Sequence, residues 1–210
     1  MIVFGPSLSP YVRKVLAFAS EKGLAIEQRP GMGPDPDPAF LRASPFRKVP
    51  ALQDGDFSLS DSSAIVAYMD KTGPQPALIP ADARSHARVI WFDEFADTIL
   101  GDATVAMFFN RLLAKRFGRE PNLAAADAAE QKLPGIFAYL EGVLPPSGFL
   151  VDDRLTLADV SVASFFPNLD YLGIRPDPAS YPKTAAYVAG MLSRPSFAPL
   201  VEGDRAYLAA

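Results

Sequence analysis

The sequence has no cysteine. That excludes disulfides, thiolate metal sites and a cysteine nucleophile together, and it fits a reducing, cytoplasmic setting. Histidine is nearly absent too. His86 is the only one, so a zinc site would need carboxylates alone and no metal is expected. His86 reads as a surface residue. Long apolar runs are missing: none approaches the roughly 18 to 20 residues that cross a bilayer, so no membrane span is expected. The opening "MIVFGPSLSP" lacks a basic start and a cleavage pattern, which argues against a signal peptide. Positive charge is in deficit, with a net charge of −4 and a pI near 5.0, so no nucleic-acid partner is expected. A dinucleotide fingerprint is absent as well, because "GMG" at 31–33 has the wrong spacing and opens no helix.

What is present is enough for a real core: 49% apolar and 11% aromatic residues in a chain of 210, room for two small domains. The first third reads as mixed α/β. "MIVFG" is a short buried strand, and 10–22 a helix with Val12, Val15, Leu16 and Ala19 at helical spacing and Gly23 at its end. "LAIEQRP" (24–30) alternates as a second strand. "PGMGPDPDP" (30–38) is a loop, since four prolines forbid a helix. A short helix at 39–43 follows, then two strands in "VPALQDGDFSLSD" with a turn at Asp54-Gly55, then a helix over 62–72. The order is βαβαββα. "GPQPALIP" (73–80) is the domain boundary. Beyond it the pattern is helical. One or two helices cover 82–117 with Gly101 as the bend, and another covers 122–142 with an interruption near Pro134-Gly135. A further helix is started by Thr156 and Asp159 as a capping box, with Leu155 and Val160 as a staple and a kink or end at Pro167. The last spans 181–195.

Three short stretches carry candidate chemistry, and each also has a plain structural reading. Ser9 precedes Pro10 at a helix start. It is either an N-cap or a hydroxyl that stabilises a thiolate, helped by the positive end of the helix dipole. In "RKVPAL", Val49–Pro50 opens a strand. A trans bond makes it an edge feature, while a cis bond leaves the Val49 backbone able to pair with a peptide ligand. In "LSDSSAIVAYMD", Asp61-Ser62 opens a helix, either as a cap or as a site for a carboxylate and an amine. The Arg13-Lys14 pair reads as a solvated face or as part of a cleft at the helix start. Trp91, Phe92 and Phe95 read as core or interface packing.

Taken together, in this order, the stretches resemble the glutathione transferase family. "SPYVRKVLAFASEKGL", "KVPAL", "LSDSSAIVAYMD", "LTLADVSVA" and "RPSF" carry the resemblance along essentially the whole chain. It implies an α/β thioredoxin-like N-terminal domain (1–75) that binds glutathione, followed by an all-α C-terminal helical domain (82–210) that lines the electrophile site. It further implies a cytoplasmic homodimer that uses glutathione as co-substrate, with no metal. Ser9 would be the catalytic hydroxyl, with Ser7 in reserve. Val49 would pair with the cysteinyl part of glutathione, with Pro50 cis, and Asp61 and Ser62 would hold the γ-glutamyl end. Lys48, or Arg47, would meet the glycine carboxylate. Tyr11, Phe108, Arg111 and Leu112 would line the electrophile pocket. Arg111, Lys115 and Arg119 share one helical face as its cationic rim or as a solvated face. Phe46 stands where some dimers of the family carry an aromatic key. "ASPFRKVP" departs from the Asn-Pro and Gly that often precede Lys-Val-Pro, and "SLSP" lacks the cysteine of the isomerase motif. The rival reading is a non-catalytic interaction module of the same fold.

Overall fold

The apolar N-terminus forms one of the two inner strands of a four-stranded sheet in the computed structural model, which describes residues 1–33 and 35–209. Strand β1 (Ile2–Phe4) pairs in parallel with β2 (Glu27–Arg29) and antiparallel with β3 (Ala51–Asp54), and β4 (Phe57–Ser60) closes the order β2-β1-β3-β4. Val3 and Phe4 are fully buried, as an inner strand of this composition requires. The second strand is three residues long, inside the expected 24–30. The hairpin turn is Gly55-Asp56, one position later than the sequence suggests, because Asp54 still pairs with Phe57. Pro34, within the expected Pro/Gly loop, lies outside the described residues.

Helix α1 (Pro10–Glu21) buries Val12, Val15, Ala17, Phe18 and Ala19. Helix α2 (Pro38–Ala43) sets Phe40 against Phe4, ring centroids 5.9 Å apart, in a cluster with Ala39, Ala43 and Ala51. Helix α3 (Ser62–Thr72) buries Ile65, Val66 and Met69. The solvated reading of Arg13-Lys14 fails: both are 0% exposed. Lys14 donates to the Ser63 hydroxyl at 3.1 Å, and Arg13 pairs with Asp204 of the last helix at 2.8 Å.

That last helix, α11 (Ala198–Ala209), falls with the first of two compact units, 1–80 with 194–210. Long-range polar ties connect 194–210 to the rest of that unit. Besides Arg13–Asp204, Glu21 receives two hydrogen bonds from Arg194, at 2.7 and 2.9 Å, and one from Ser196. Burial pushes the Glu21 carboxyl up, and these donors more than reverse it, so it ends below its ordinary value.

The second unit, 81–193, is helical. Helix α4 (Ala83–Glu94) runs through a π-helical stretch, Phe95–Leu100, into α5 (Gly101–Phe108), and a second π-helical stretch, Phe109–Leu113, follows. The wide turns precede and follow α5, and Gly101 itself is ordinary helix at φ −62°. Helices α6 (Leu123–Glu130) and α7 (Leu133–Val143) break at Gln131-Lys132, earlier than expected. Pro134 sits in the first turn of α7, where its missing N–H costs nothing. Helix α8 (Leu157–Ala163) has the expected capping box: the Asp159 carboxylate accepts from the Thr156 N–H at 2.9 Å and from the Leu150 N–H at 2.8 Å. Pro167 falls in the first turn of α9 (Phe166–Asp170), after α8 has ended, and α10 (Pro182–Leu192) completes the unit.

Candidate functional site

The register of the sheet decides where the candidate residues come out. Phe4 lies opposite Ala51, and Ala51 lies opposite Ser60. The end of β1, the start of β3 and the end of β4 are therefore one edge of the sheet. The loop with Ser9 leaves from that edge, the segment with Val49-Pro50 enters there, and Asp61-Ser62 follows directly. Three stretches far apart in sequence are gathered by strand pairing alone.

Ser9 is the N-cap residue of α1 by backbone: its C=O accepts from the Arg13 N–H at 2.9 Å, and its own N–H donates to the Pro6 C=O at 3.1 Å. Its side chain makes no capping hydrogen bond. The hydroxyl at the positive end of a 12-residue helix is thus not used to start that helix. Ser7 differs, because its hydroxyl donates to Asp204 Oδ1 at 2.6 Å.

The Val49–Pro50 bond is cis. The chain before it is held by Ser44, whose hydroxyl donates to the Lys48 C=O at 2.7 Å and accepts from the Lys48 N–H at 2.9 Å. Val49 is packed onto two glycines. A Cβ on Gly5, which has φ +127°, would meet Val49 Cβ at 2.8 Å and Val12 Cγ2 at 2.7 Å, and a Cβ on Gly31 would meet Val49 Cγ1 at 2.5 Å. Real Cβ atoms do not come that close, so both positions are glycine for packing reasons. Within "GMG" it is Gly31 that has this role, since a Cβ on Gly33 would meet nothing within 4 Å. Gly5 also begins the loop that carries Ser9, so the Val49 side chain packs against the start of that loop. Arg47 and Lys48 are exposed beside it.

Asp61 is the N-cap of α3, and here the capping reading holds: Oδ1 accepts from the Ser63 and Ala64 N–H groups, both at 3.0 Å. Its φ of +83° is a region that a residue with a Cβ enters at a cost of about 1 kcal/mol or more. Ser62, 3% exposed, begins the helix.

The proposed electrophile residues are placed less sharply. Tyr11 is half-buried on α1. Phe108 is buried, its ring 6.0 Å from that of Tyr171. Leu112 is half-buried in the second π-helical stretch. The Arg111 guanidinium is held by Asp127 at 2.7 Å and Glu130 at 2.6 Å. Arg111, Lys115 and Arg119 do not share a helical face. The helix tightens at Lys115–Phe117 and ends at Gly118, φ +65°, and Arg119 lies over the Phe109 ring, 5.8 Å from its centre.

Two features went unread in the sequence. One is the Ser7–Asp204–Arg13 cluster, which no local pattern signals. The other is an apolar groove of about 340 Å³ in the helical unit, lined by Trp91, Phe95, Ile99, Lys132, Ile136 and Tyr139 among others. Trp91 is 48% exposed there and its indole N–H donates to the Tyr139 hydroxyl at 2.7 Å. The "VIWFDEF" stretch was its only signal.

Comparison with known proteins agrees with this layout. Residues 3–77 match the family model for the N-terminal domain of glutathione S-transferase, and residues 95–195 match that for its C-terminal domain. Glutathione S-transferase F7 of Arabidopsis thaliana is 30% identical, covering 92% of this chain and 95% of its own. A glutathione S-transferase of Hyoscyamus muticus is 29% identical, covering 96% and 98%. Among solved structures, a glutathione S-transferase from Rhodospirillum rubrum F11 superposes with a TM-score of 0.84 at 27% identity, covering 95% and 90%. One from Methylobacillus flagellatus KT, solved with GSH bound, has a TM-score of 0.77 at 29% identity, covering 95% and 98%.

Proposed function

This chain belongs to the glutathione S-transferase family and is a glutathione transferase, and from that premise we propose that the Ser9 hydroxyl donates a hydrogen bond to the sulfur of bound glutathione, keeping its proton. The thiol proton leaves to solvent, and the thiolate attacks an electrophilic carbon in an apolar pocket. A carbon–sulfur bond forms and a leaving group departs with its electron pair. The observation that carries this reading is the Ser9 hydroxyl, which makes no capping bond at the positive end of α1, while that of Ser7 is given to Asp204. A free thiol near pKa 8.5 needs a shift of about two pH units to be mostly thiolate at neutral pH, within reach of one hydroxyl donor and a helix dipole.

The remaining roles follow the edge of the sheet. The Val49 backbone N–H and C=O take the cysteinyl part of glutathione as an added strand. Asp61 and Ser62 take the γ-glutamyl amine and carboxylate, aided by the N-terminus of α3. Lys48, with Arg47 beside it, meets the glycine carboxylate. Tyr11, Phe108 and Leu112 supply apolar lining for the electrophile. Arg111 already faces two carboxylates, which favours an uncharged electrophile over an anionic one. We take the working form to be a homodimer, in which Phe46, 85% exposed, enters the Trp91–Tyr139 groove of a second copy. A groove of about 340 Å³ holds a benzyl group with room to spare.

Calorimetric titration with glutathione at neutral pH, with the bound thiolate followed by ultraviolet absorbance, tests the reading. Wild type is expected to bind and show thiolate, and Ser9→Ala to bind without thiolate. Failure of wild type to bind at millimolar glutathione would leave the fold as an interaction module.

A further inference from the structure

We propose that Asp204, on the last helix, is a positioning residue for the thiol-activating serine, a role that rests on the transferase reading above. Asp204 is 197 positions from Ser7 and 191 from Arg13, yet it holds both: Oδ1 accepts from the Ser7 hydroxyl at 2.6 Å and Oδ2 from Arg13 Nη2 at 2.8 Å. The ion pair is shielded, with side-chain exposures of 0% for Arg13 and 6% for Asp204. Charge-assisted bonds in such surroundings are strong and directional.

The two partners bracket Ser9. Ser7 lies inside the turn closed by the Ser9 N–H on the Pro6 C=O, and Arg13 is one helical turn beyond, its N–H on the Ser9 C=O. Because the Ser9 side chain makes no bond to the helix start, the backbone of this turn is what places its Cβ, and with it the reach of the hydroxyl. Asp204 grips that turn from both sides. It also occupies the proton of the nearest competing hydroxyl, that of Ser7.

Asp204→Asn separates this role from simple support. A carboxylate accepts from both partners, whereas an amide can keep Arg13 on its oxygen only by turning its NH2 toward Ser7 Oγ, so the charge of the ion pair is lost and the Ser7 proton is released. With glutathione bound, the thiol of Asp204→Asn is expected to ionise about one pH unit higher than in wild type, a tenfold loss of thiolate on the acid side. Affinity for glutathione is expected to stay near that of wild type, because Val49, Asp61 and Ser62 are untouched. Exchange of the Ser9 amide hydrogen is expected to quicken. Ser7→Ala, which keeps the buried ion pair and so the fold, is expected to move both readouts the same way by less. Adding Asp204→Asn to it is expected to do less than Asp204→Asn alone. Unchanged thiol ionisation and Ser9 exchange in Asp204→Asn would overturn the proposal. If that variant does not fold, Ser7→Ala decides. Raised ionisation without faster Ser9 exchange would mean that Ser7 acts on the sulfur directly, and the role of Asp204 falls. Wild type that binds no glutathione brings down the transferase reading and this inference with it, whereas thiolate formed equally in wild type and both variants removes only the inference.

Discussion

The Lys22 ammonium and the Asp70 carboxylate lie 3.2 Å apart with both side chains 1% exposed. The pair fastens the end of α1 to the end of α3. It also ties down the Pro-rich segment that follows, since Lys22 donates to the Pro76 C=O at 3.0 Å and Asp70 accepts from the Leu78 N–H at 2.8 Å. Removing one member leaves a buried charge without its counterpart. Lys22→Ala is expected to lower stability by about 3–5 kcal/mol in urea denaturation, far more than an exposed pair is worth. A loss below about 1 kcal/mol would mean that water reaches the pair.

Ser9 and Asp61 are both N-cap residues, and their alanine variants should part company. Ser9→Ala removes no capping bond, so its melting temperature should match wild type. Asp61→Ala removes the acceptor for two amides and keeps a Cβ at positive φ, so a loss of about 1–2 kcal/mol is expected. Thermal unfolding of the two, side by side without glutathione, checks this. Equal losses would show that the Ser9 hydroxyl caps α1 after all.

Asp159 ties stability to pH. Burial pushes its carboxyl up to about 6 from the ordinary 3.8, although the hydrogen bonds from Leu150 and Thr156 pull the other way. Above pH 6 the folded protein bears the full cost of a buried charge. Between about 6 and 3.8 the folded state holds a proton that the unfolded chain does not, so folding takes up a proton and this contribution to stability grows as pH falls. The gap corresponds to about 3 kcal/mol. Compared with Asp159→Asn, wild type should therefore gain stability from pH 7 to pH 4, measured by urea denaturation at each pH. A difference that stays flat across that range counts against it.

Phe46→Asp should give a monomer in sedimentation velocity at micromolar concentration while keeping the wild-type melting behaviour of a single chain, because an 85% exposed ring contributes nothing to the core. Trp91→Ala, on the other side of the proposed contact, should weaken association likewise. Dimers that persist in both variants would place the interface elsewhere.

What could be read from the sequence was what short-range chemistry controls. The Ser-Pro start of α1, the Thr156–Asp159 capping box, the Val49–Pro50 entry into β3 and the Asp61-Ser62 start of α3 are each written within four residues, and the structure has all of them. The burial of Arg13 and Lys14 was not written there. It depends on Asp204, almost two hundred residues away, and on Ser63 across the helix pair. The supposed cationic face of Arg111, Lys115 and Arg119 failed for a local reason that was in plain view: Gly118 ends the helix before Arg119 is reached. The π-helical stretches beside α5 have no counterpart in apolar spacing, since one extra residue per turn shifts a pattern without erasing it.

Because strand pairing brings Ser9, Val49 and Ser62 to one edge, the proposed glutathione site does not exist before the sheet is complete. On that proposal glutathione affinity is an all-or-none gauge of folding in this unit, and the ligand would in turn stabilise it by mass action. The Gly55-Asp56 turn lies at the opposite end of the same strands, where Asp54 meets Phe57. A circularly permuted chain opened at that turn would keep every exit of the site intact. One opened at any of the three exits would lose it while keeping most of the core.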